Sequence, residues 1–320
     1  MARRERVKLT DKQLRDYVAA KLALPGEDRD EHRKQIGRLL EKLEAKISED
    51  GSYRIKKFRR AGSLEKGTSN RPRAGRPVDG DVGVYFEVDD PNNFDIARLQ
   101  ALIKQLLEAA YPQKSSDDFD DSGDRIFEVV FKGSGLEIDL VPIVSLDEDA
   151  NYGYQYSRTG DRVKTSVKVH LEHYRSHAAR DAFLAPTLRM AKRWRHWHEL
   201  DGIQSFHLEL LLTFLVARDG PAPSLEESFR RLFRFIIADL STGLAFDGAD
   251  ASTFTAPVVI VDPANDANNV AARIEPVERD ELVSAARTAY ETITWAQELP
   301  GKGETVAAWK EILGEGFAVD

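Results

Sequence analysis

At 320 residues and 42% hydrophobic content, the chain is long enough to bury one large core or two intimate lobes. Its net charge of −8 argues against a surface built to coat a polyanion. Its lack of cysteine excludes disulfides, zinc ribbons and thiol nucleophiles, as suits a reducing cytosolic setting.

The basic start "MARRERVKL" is followed by no apolar stretch of signal-peptide length, and the longest apolar run, around "LLTFLVA", is too short to span a bilayer. The expectation is a soluble, cytoplasmic protein. Thr10 with Gln13 in "TDKQLRDYVAAKLAL" reads as a capping box opening a short helix, which Pro25-Gly26 closes. A longer helix follows, with Ile36, Leu39, Leu40, Leu43 and Ile47 at helical spacing and Gly51 as its end. "YRIKKFRRAG" reads as a strand leading into a Gly-Ser turn, and "GDVGVYFEV" as the next strand. "IARLQALIKQLLEAAY" is an amphipathic helix, and "DRIFEVVFKGSGLEIDLVPIV" is a hairpin around Lys-Gly-Ser-Gly. From Ser166 onward helix follows helix, through "APTLRMAKRWRHWHEL", "IQSFHLELLLTFLVA", "LEESFRRLFRFIIADL" and "RDELVSAARTAYETITWAQEL". The pattern predicts a mixed α/β lobe over 1–165 and a helical lobe over 166–320, with the groove between them as the natural ligand site.

The chemistry concentrates in "AGSLEKGTSNRPRAGRPVDGDVGVYF". Side chains alternate along a strand, so Asp79 and Asp81 share one face. In "LEIDLVPIV", Leu136, Ile138 and Leu140 face the core, which turns Asp139 the other way. If the two strands are neighbours, three carboxylates converge. Such a cluster is costly unless cations occupy it, and hard oxygen donors point to Mg2+, or Mn2+ in its place. A pair of such ions is the established device of phosphoryl chemistry. Gly62 and Ser63 then supply N–H groups and a hydroxyl for phosphate oxygens. Taken alone, "DGD" is a common solvated turn, but an aspartate flanked by Ile and Leu on a core strand is costly to bury without a partner. "GSLEKGT" is not a Walker loop, because no Lys follows its second glycine.

"GSLEKGT", "DGDVGVYF" and "LEIDLVP" together resemble the nucleotidyltransferase superfamily of DNA polymerase β type. More narrowly they resemble the bacterial cGAS/DncV-like nucleotidyltransferases, the CBASS cyclic oligonucleotide synthases of anti-phage defence. The likeness continues through "LAPTLRMAKRW", "SFHLELL", "VDPANDANNVA" and "AAWKEILG", and is greatest to the clade controlled by HORMA-domain partners. It implies a polymerase β-like lobe with a mixed sheet, packed on a C-terminal helical lobe, with the active site in the cleft. It also implies that Asp79, Asp81 and Asp139 bind two Mg2+ ions and that Gly62 and Ser63 hold the triphosphate. Lys192 and Ser205 would reach that triphosphate from the helical lobe, and Phe206 would stack on a base. ATP and other nucleoside triphosphates would be the substrates. The product would be a 3'-5' linked cyclic di- or trinucleotide containing adenine, with a trinucleotide favoured, and a downstream effector would read it. A linear oligonucleotide, or no reaction at all in a nucleotide-binding scaffold, are the competing readings; an intact aspartate triad counts against the scaffold.

One departure from the family pattern is the spacing. Fifteen residues separate Ser63 from Asp79, more than is usual, and the extra segment brings Arg71, Arg73 and Arg76 near the phosphates or simply into solvent. Lys56, Lys57, Arg59 and Arg60 form a basic run that reads as a solvated strand edge or a nucleic-acid contact. Without the resemblance, Lys192 is an ordinary helix lysine, Ser205 a first-turn residue and Phe206 a core residue. His170, His173 and His177 share a helix face but lack a fourth ligand for zinc, and Met190, Trp194 and Trp197 read as a packing stripe.

Overall fold

The computed structural model of the chain describes residues 9–73, 76–90, 94–146, 149–246 and 248–319. Two compact units emerge, one running from Leu24 to Glu172 and the other joining the chain up to Ala23 with the chain from His173 onward.

The first unit is built on a mixed sheet. Its strands are β1 (Arg54–Arg60), β2 (Val78–Glu87), β3 (Phe119–Asp120), β4 (Phe127–Phe131), β5 (Leu136–Ser145), β6 (Gly153–Tyr156) and β7 (Arg162–Thr165). The order is β1-β2-β5-β4-β3, with β6 joining β5 to β7. Strands β4 and β5 form the expected antiparallel hairpin, whereas β2 runs parallel to β5. A parallel pair needs a long crossover, and here that crossover carries α4 (Ile96–Ala110).

Alternation decides what each sheet face carries. Val82, Val84 and Phe86 of β2, with Leu136, Ile138 and Leu140 of β5, enter one core with Ile36, Leu39, Leu43, Leu99 and Ile103. The last five come from α2 (Gly26–Asp50) and α4, so both helices pack on the same side of the sheet. Burying each Leu or Ile there contributes about 1.5–3 kcal/mol. The opposite side of β2 and β5 carries Asp79, Asp81, Glu137 and Asp139 at its start and turns apolar further along, where Tyr85 and Ile143 are buried. Between α2 and β2 the contact is close at one point: a Cβ placed on Gly80 would lie 2.8 Å from Ile36 Cδ1. Nothing larger than glycine fits between Asp79 and Asp81 without displacing the end of the Ile36 side chain.

The second unit is helical, apart from the short ribbon of β8 (Val261–Asp262) and β9 (Asn265–Asn269). Its helices are α1 (Asp11–Tyr17), α6 (Leu184–Trp197), α7 (Ser205–Asp219), α8 (Leu225–Ala238), α9 (Pro276–Ala296) and α10 (Lys302–Leu313). The chain passes between the units within α5 (Val167–Ala178).

Residues up to 23 were expected in the catalytic lobe, yet Leu14, Tyr17, Val18 and Leu22 enter the helical core with Trp194, Phe233, Trp309 and Phe317. The Tyr17 and Phe317 rings lie 4.6 Å apart. The short apolar face of α1 finds its burial there rather than on the sheet. The Thr10 capping box forms as predicted. Pro25-Gly26 does not close that helix; a wide turn over Val18–Leu22 does, and Pro25 instead caps α2, where its missing N–H costs nothing. Met190 and Trp194 are fully buried, while Trp197 is 40% exposed at the rim.

Candidate active site

The register of β2, β5 and β4 assembles the polar face. Asp81 pairs with Asp139 and Asp79 with Glu137 across the parallel ladder; Glu128 of β4 pairs with Asp139 across the hairpin. All five carboxylates therefore share one side of three adjacent strands. The carboxylate oxygens of Glu128, Glu137 and Asp139 come within 4.8 Å of one another. That compact group is not the predicted trio; Asp79 and Asp81 flank it on the neighbouring strand. Glu128 and Glu137 were missed, although the period-two argument applied to Asp139 places Glu137 beside it.

Electrostatics records the crowding. Burial pushes the Asp139 carboxyl up to about 7, helped by the negative charges of Asp81, Asp79 and Glu128. Burial also raises Glu137, reinforced by its hydrogen bond to Glu128 and by the charges of Glu128, Asp79 and Asp139. A set of hard oxygen donors at such a cost fits a divalent cation of the Mg2+ type and no soft metal.

The raised Asp139 value has a measurable consequence. Between its ordinary 3.8 and about 7 the folded state holds a proton that the unfolded chain has released. Stability conferred by the neutral form is therefore lost as pH rises through that window. With divalent ions chelated, Asp139→Asn is expected to melt roughly 3 °C or more above the parent at pH 8. The gap should narrow as pH falls below 7. Equal melting at pH 8 would sink this account of the cluster.

Beside the carboxylates lies the Gly-Ser turn. The Ala61 N–H donates to Asp81 O at 2.7 Å, and Gly62 adopts φ +64° as the first residue of α3 (Gly62–Lys66). A Cβ on Gly62 would sit 1.6 Å from Asp81 Oδ2. Ser63 Oγ lies 3.0 Å from Ser69 Oγ, and Ser69 O accepts from the Leu24 N–H at 3.1 Å. Asp79, Asp81, Asp139, Gly62 and Ser63 thus belong to one local arrangement in the sheet unit. Arg71, Arg73 and Arg76 are exposed, and Arg73 and Arg76 exchange two backbone hydrogen bonds, at 3.1 and 2.8 Å.

Lys192, Ser205 and Phe206 belong to the helical unit. Lys192 is buried on α6, and Ser205, first in α7, accepts from Arg195 Nη1 at 3.2 Å. Arg195, three residues beyond Lys192 on the same helix face, was not singled out in the sequence. Phe206 is half-buried against the core. His173 Nε2 meets Thr213 Oγ1 at 3.0 Å and His177 Nδ1 meets His173 O at 2.7 Å, so these histidines are engaged with protein groups. Among the described residues no helix is long and apolar enough to cross a membrane.

No protein-family model matches the chain. Among curated proteins, it is 31% identical over 315 residues to the CBASS oligonucleotide cyclase CdnC of Escherichia coli (strain KTE188), covering 98% of each chain. It is 28% identical over 312 residues to a cyclic AMP-AMP-AMP synthase of Escherichia coli (strain MS 115-1), covering 94% of this chain and 95% of the other. Solved structures of E. coli MS115-1 CdnC superpose closely. The one with ATP gives TM-score 0.83 at 28% identity, covering 97% and 99% of the two chains. The CdnC:HORMA-deltaN complex gives 0.82 at 27%, covering 97% and 98%. The likeness spans both units and the carboxylate strands alike: the chain belongs to the CBASS oligonucleotide cyclases, nucleotidyltransferases of the cGAS/DncV-like family that make cyclic oligonucleotides.

Proposed function

We propose that the protein makes a 3'-5' linked cyclic trinucleotide containing adenine, as a second messenger in bacterial anti-phage defence, with ATP among its nucleoside triphosphate substrates. The observation that carries this reading is the pairing of Asp81 with Asp139 across the β2–β5 ladder, beside the Gly62-Ser63 turn. The named cyclic AMP-AMP-AMP synthase and the ATP-bound CdnC structure support adenine.

Asp79 and Asp81 would hold two Mg2+ ions, or Mn2+ in their place, with Asp139 holding the one on the hydroxyl side. Such ions, when bound, neutralise phosphate charge and make a 3'-hydroxyl a better nucleophile. Gly62 and Ser63 hold the triphosphate, Lys192 and Ser205 add contacts to it from the helical unit, and Phe206 stacks on a base. The hydroxyl oxygen bonds to the α-phosphorus, the bond to the β-phosphate oxygen breaks and pyrophosphate leaves. Repetition followed by attack within the chain closes the ring. The protein's part is positioning and charge neutralisation. A HORMA-domain protein is the proposed activator, on the strength of the CdnC:HORMA-deltaN complex, and the protein would act in the cytoplasm.

The test is incubation with labelled ATP, GTP, CTP and UTP plus Mg2+, with and without the HORMA-domain protein, followed by phosphatase and mass analysis. A phosphatase-resistant cyclic trimer containing adenine is expected. Linear products alone would replace this reading with primer extension, and no product in either condition would leave a nucleotide-binding scaffold.

A further inference from the structure

Helix α3 spans only Gly62–Lys66, far too short to hold itself in water. Its last carbonyls also need partners from elsewhere. Ser63 O is used locally by the N–H groups of Gly67 and Thr68, the latter at 2.8 Å. Leu64 O and Glu65 O are taken by a side chain from α2: Arg33 Nη2 donates to them at 3.2 and 3.3 Å and lies 3.5 Å from the Glu65 carboxylate. A cation at the carboxyl end of a helix also complements its dipole.

The origin of that arginine matters. One turn further along α2, Ile36 presses on Gly80, the residue between Asp79 and Asp81. The same helix therefore keys into the carboxylate strand with Ile36 and grips the Gly-Ser turn with Arg33. It sets the offset between them.

We propose that Arg33 is a positioning residue for the nucleotide: by clamping the carboxyl end of α3 it fixes where the Ser63 hydroxyl and the first N–H groups of that helix point relative to Asp81. This rests on the reading of Gly62 and Ser63 as the triphosphate holders. Arginine suits the role because Nη2 reaches the two carbonyls and the Glu65 carboxylate while Nη1 of the same planar group lies 3.9 Å from Asp30 Oδ1 on α2, a spread that a lysine ammonium covers only in part.

The experiment compares Arg33→Lys, Arg33→Met and Lys42→Met in the full-length protein, under conditions where the parent makes product. Lys42 is the control from the same helix: its Nζ donates to Ala110 O at 3.1 Å and lies 4.1 Å from the centre of the Tyr111 ring, away from the site. Both Arg33 variants are expected to raise KM for ATP about tenfold with kcat within about twofold. Equilibrium binding of a non-reactive ATP analogue should weaken by the same factor. Lys42→Met should lower Tm and leave KM and analogue binding unchanged. If Arg33→Met does not fold, Arg33→Lys decides.

Unchanged KM in Arg33→Lys, or an equal rise in Lys42→Met, would overturn the proposal while leaving the cyclase reading intact. A parent that neither makes product nor binds the analogue would remove both.

Discussion

Cyclic product is expected to fall by at least about a thousandfold when Asp79 and Asp81 are both replaced by Asn, because charge neutralisation around the phosphates is the main source of rate in such a site. The same change should not unfold the protein. Both residues sit on the polar side of β2, outside the apolar core, and their charges help push Asp139 up. Removing two negative charges from a five-carboxylate face relieves repulsion, so Tm without divalent ions should hold or rise, and Asp139 should titrate lower. Activity measured by mass analysis and melting measured with a chelator together decide the matter. Retained cyclisation would remove these aspartates from the mechanism, and loss of activity with loss of fold would mean that they are structural.

Gly62→Ala is the second large effect. At φ +64° a side chain costs about 1–2 kcal/mol from backbone strain alone. The new Cβ would also lie 1.6 Å from Asp81 Oδ2 and 2.4 Å from its Cγ, an overlap that something must relieve. Either Asp81 swings away from Asp139 or the turn lifts off β2, and both separate the Ser63 hydroxyl from the carboxylates. A loss of activity on the order of a hundredfold is expected, with melting lowered by a few degrees. Gly67→Ala separates strain from overlap. Its φ is +66°, but its nearest neighbour is Arg29 Nη1 at 3.4 Å. It should lose similar stability and keep most of its activity. Equal activity losses in the two variants would show that backbone strain, and not the closeness of Gly62 to Asp81, sets the effect.

Much of this was legible in the residues because local periodicity decides it. The apolar stripe of α2 lies where its spacing puts it, and all five of its named residues are buried. The hairpin of β4 and β5 follows from its turn. Asp139 faces away from Leu136, Ile138 and Leu140 because alternation allows nothing else. What periodicity does not carry is which distant segments meet. The adjacency of β2 and β5 entered only as a condition, since two strands separated by a helix and a hairpin can pair in several orders. Glu128 reaches the site from the other side of Asp139, through the register of the β4–β5 hairpin, which the turn alone does not number. Arg33 was invisible for a different reason: among the charged residues of an amphipathic helix, nothing in the sequence marks the one whose guanidinium meets two carbonyls 31 and 32 residues away.

The placement of α1 bears on how the protein is made. Residues 24–172 are contiguous, so everything that unit needs for its core has left the ribosome once α5 begins to emerge. The segment Asp11–Leu22 is made before that unit, whereas the residues that bury it are made after it. Its neighbours in the core include Trp309 and Phe317, close to the end of the chain. Until the helices of its own unit have been made, its apolar face lacks its cover, and part of that cover, Trp309 and Phe317, arrives only with α10 and the residues after it. A nascent chain that stalls before Trp309 would carry a finished sheet unit and an unprotected amino-terminal helix.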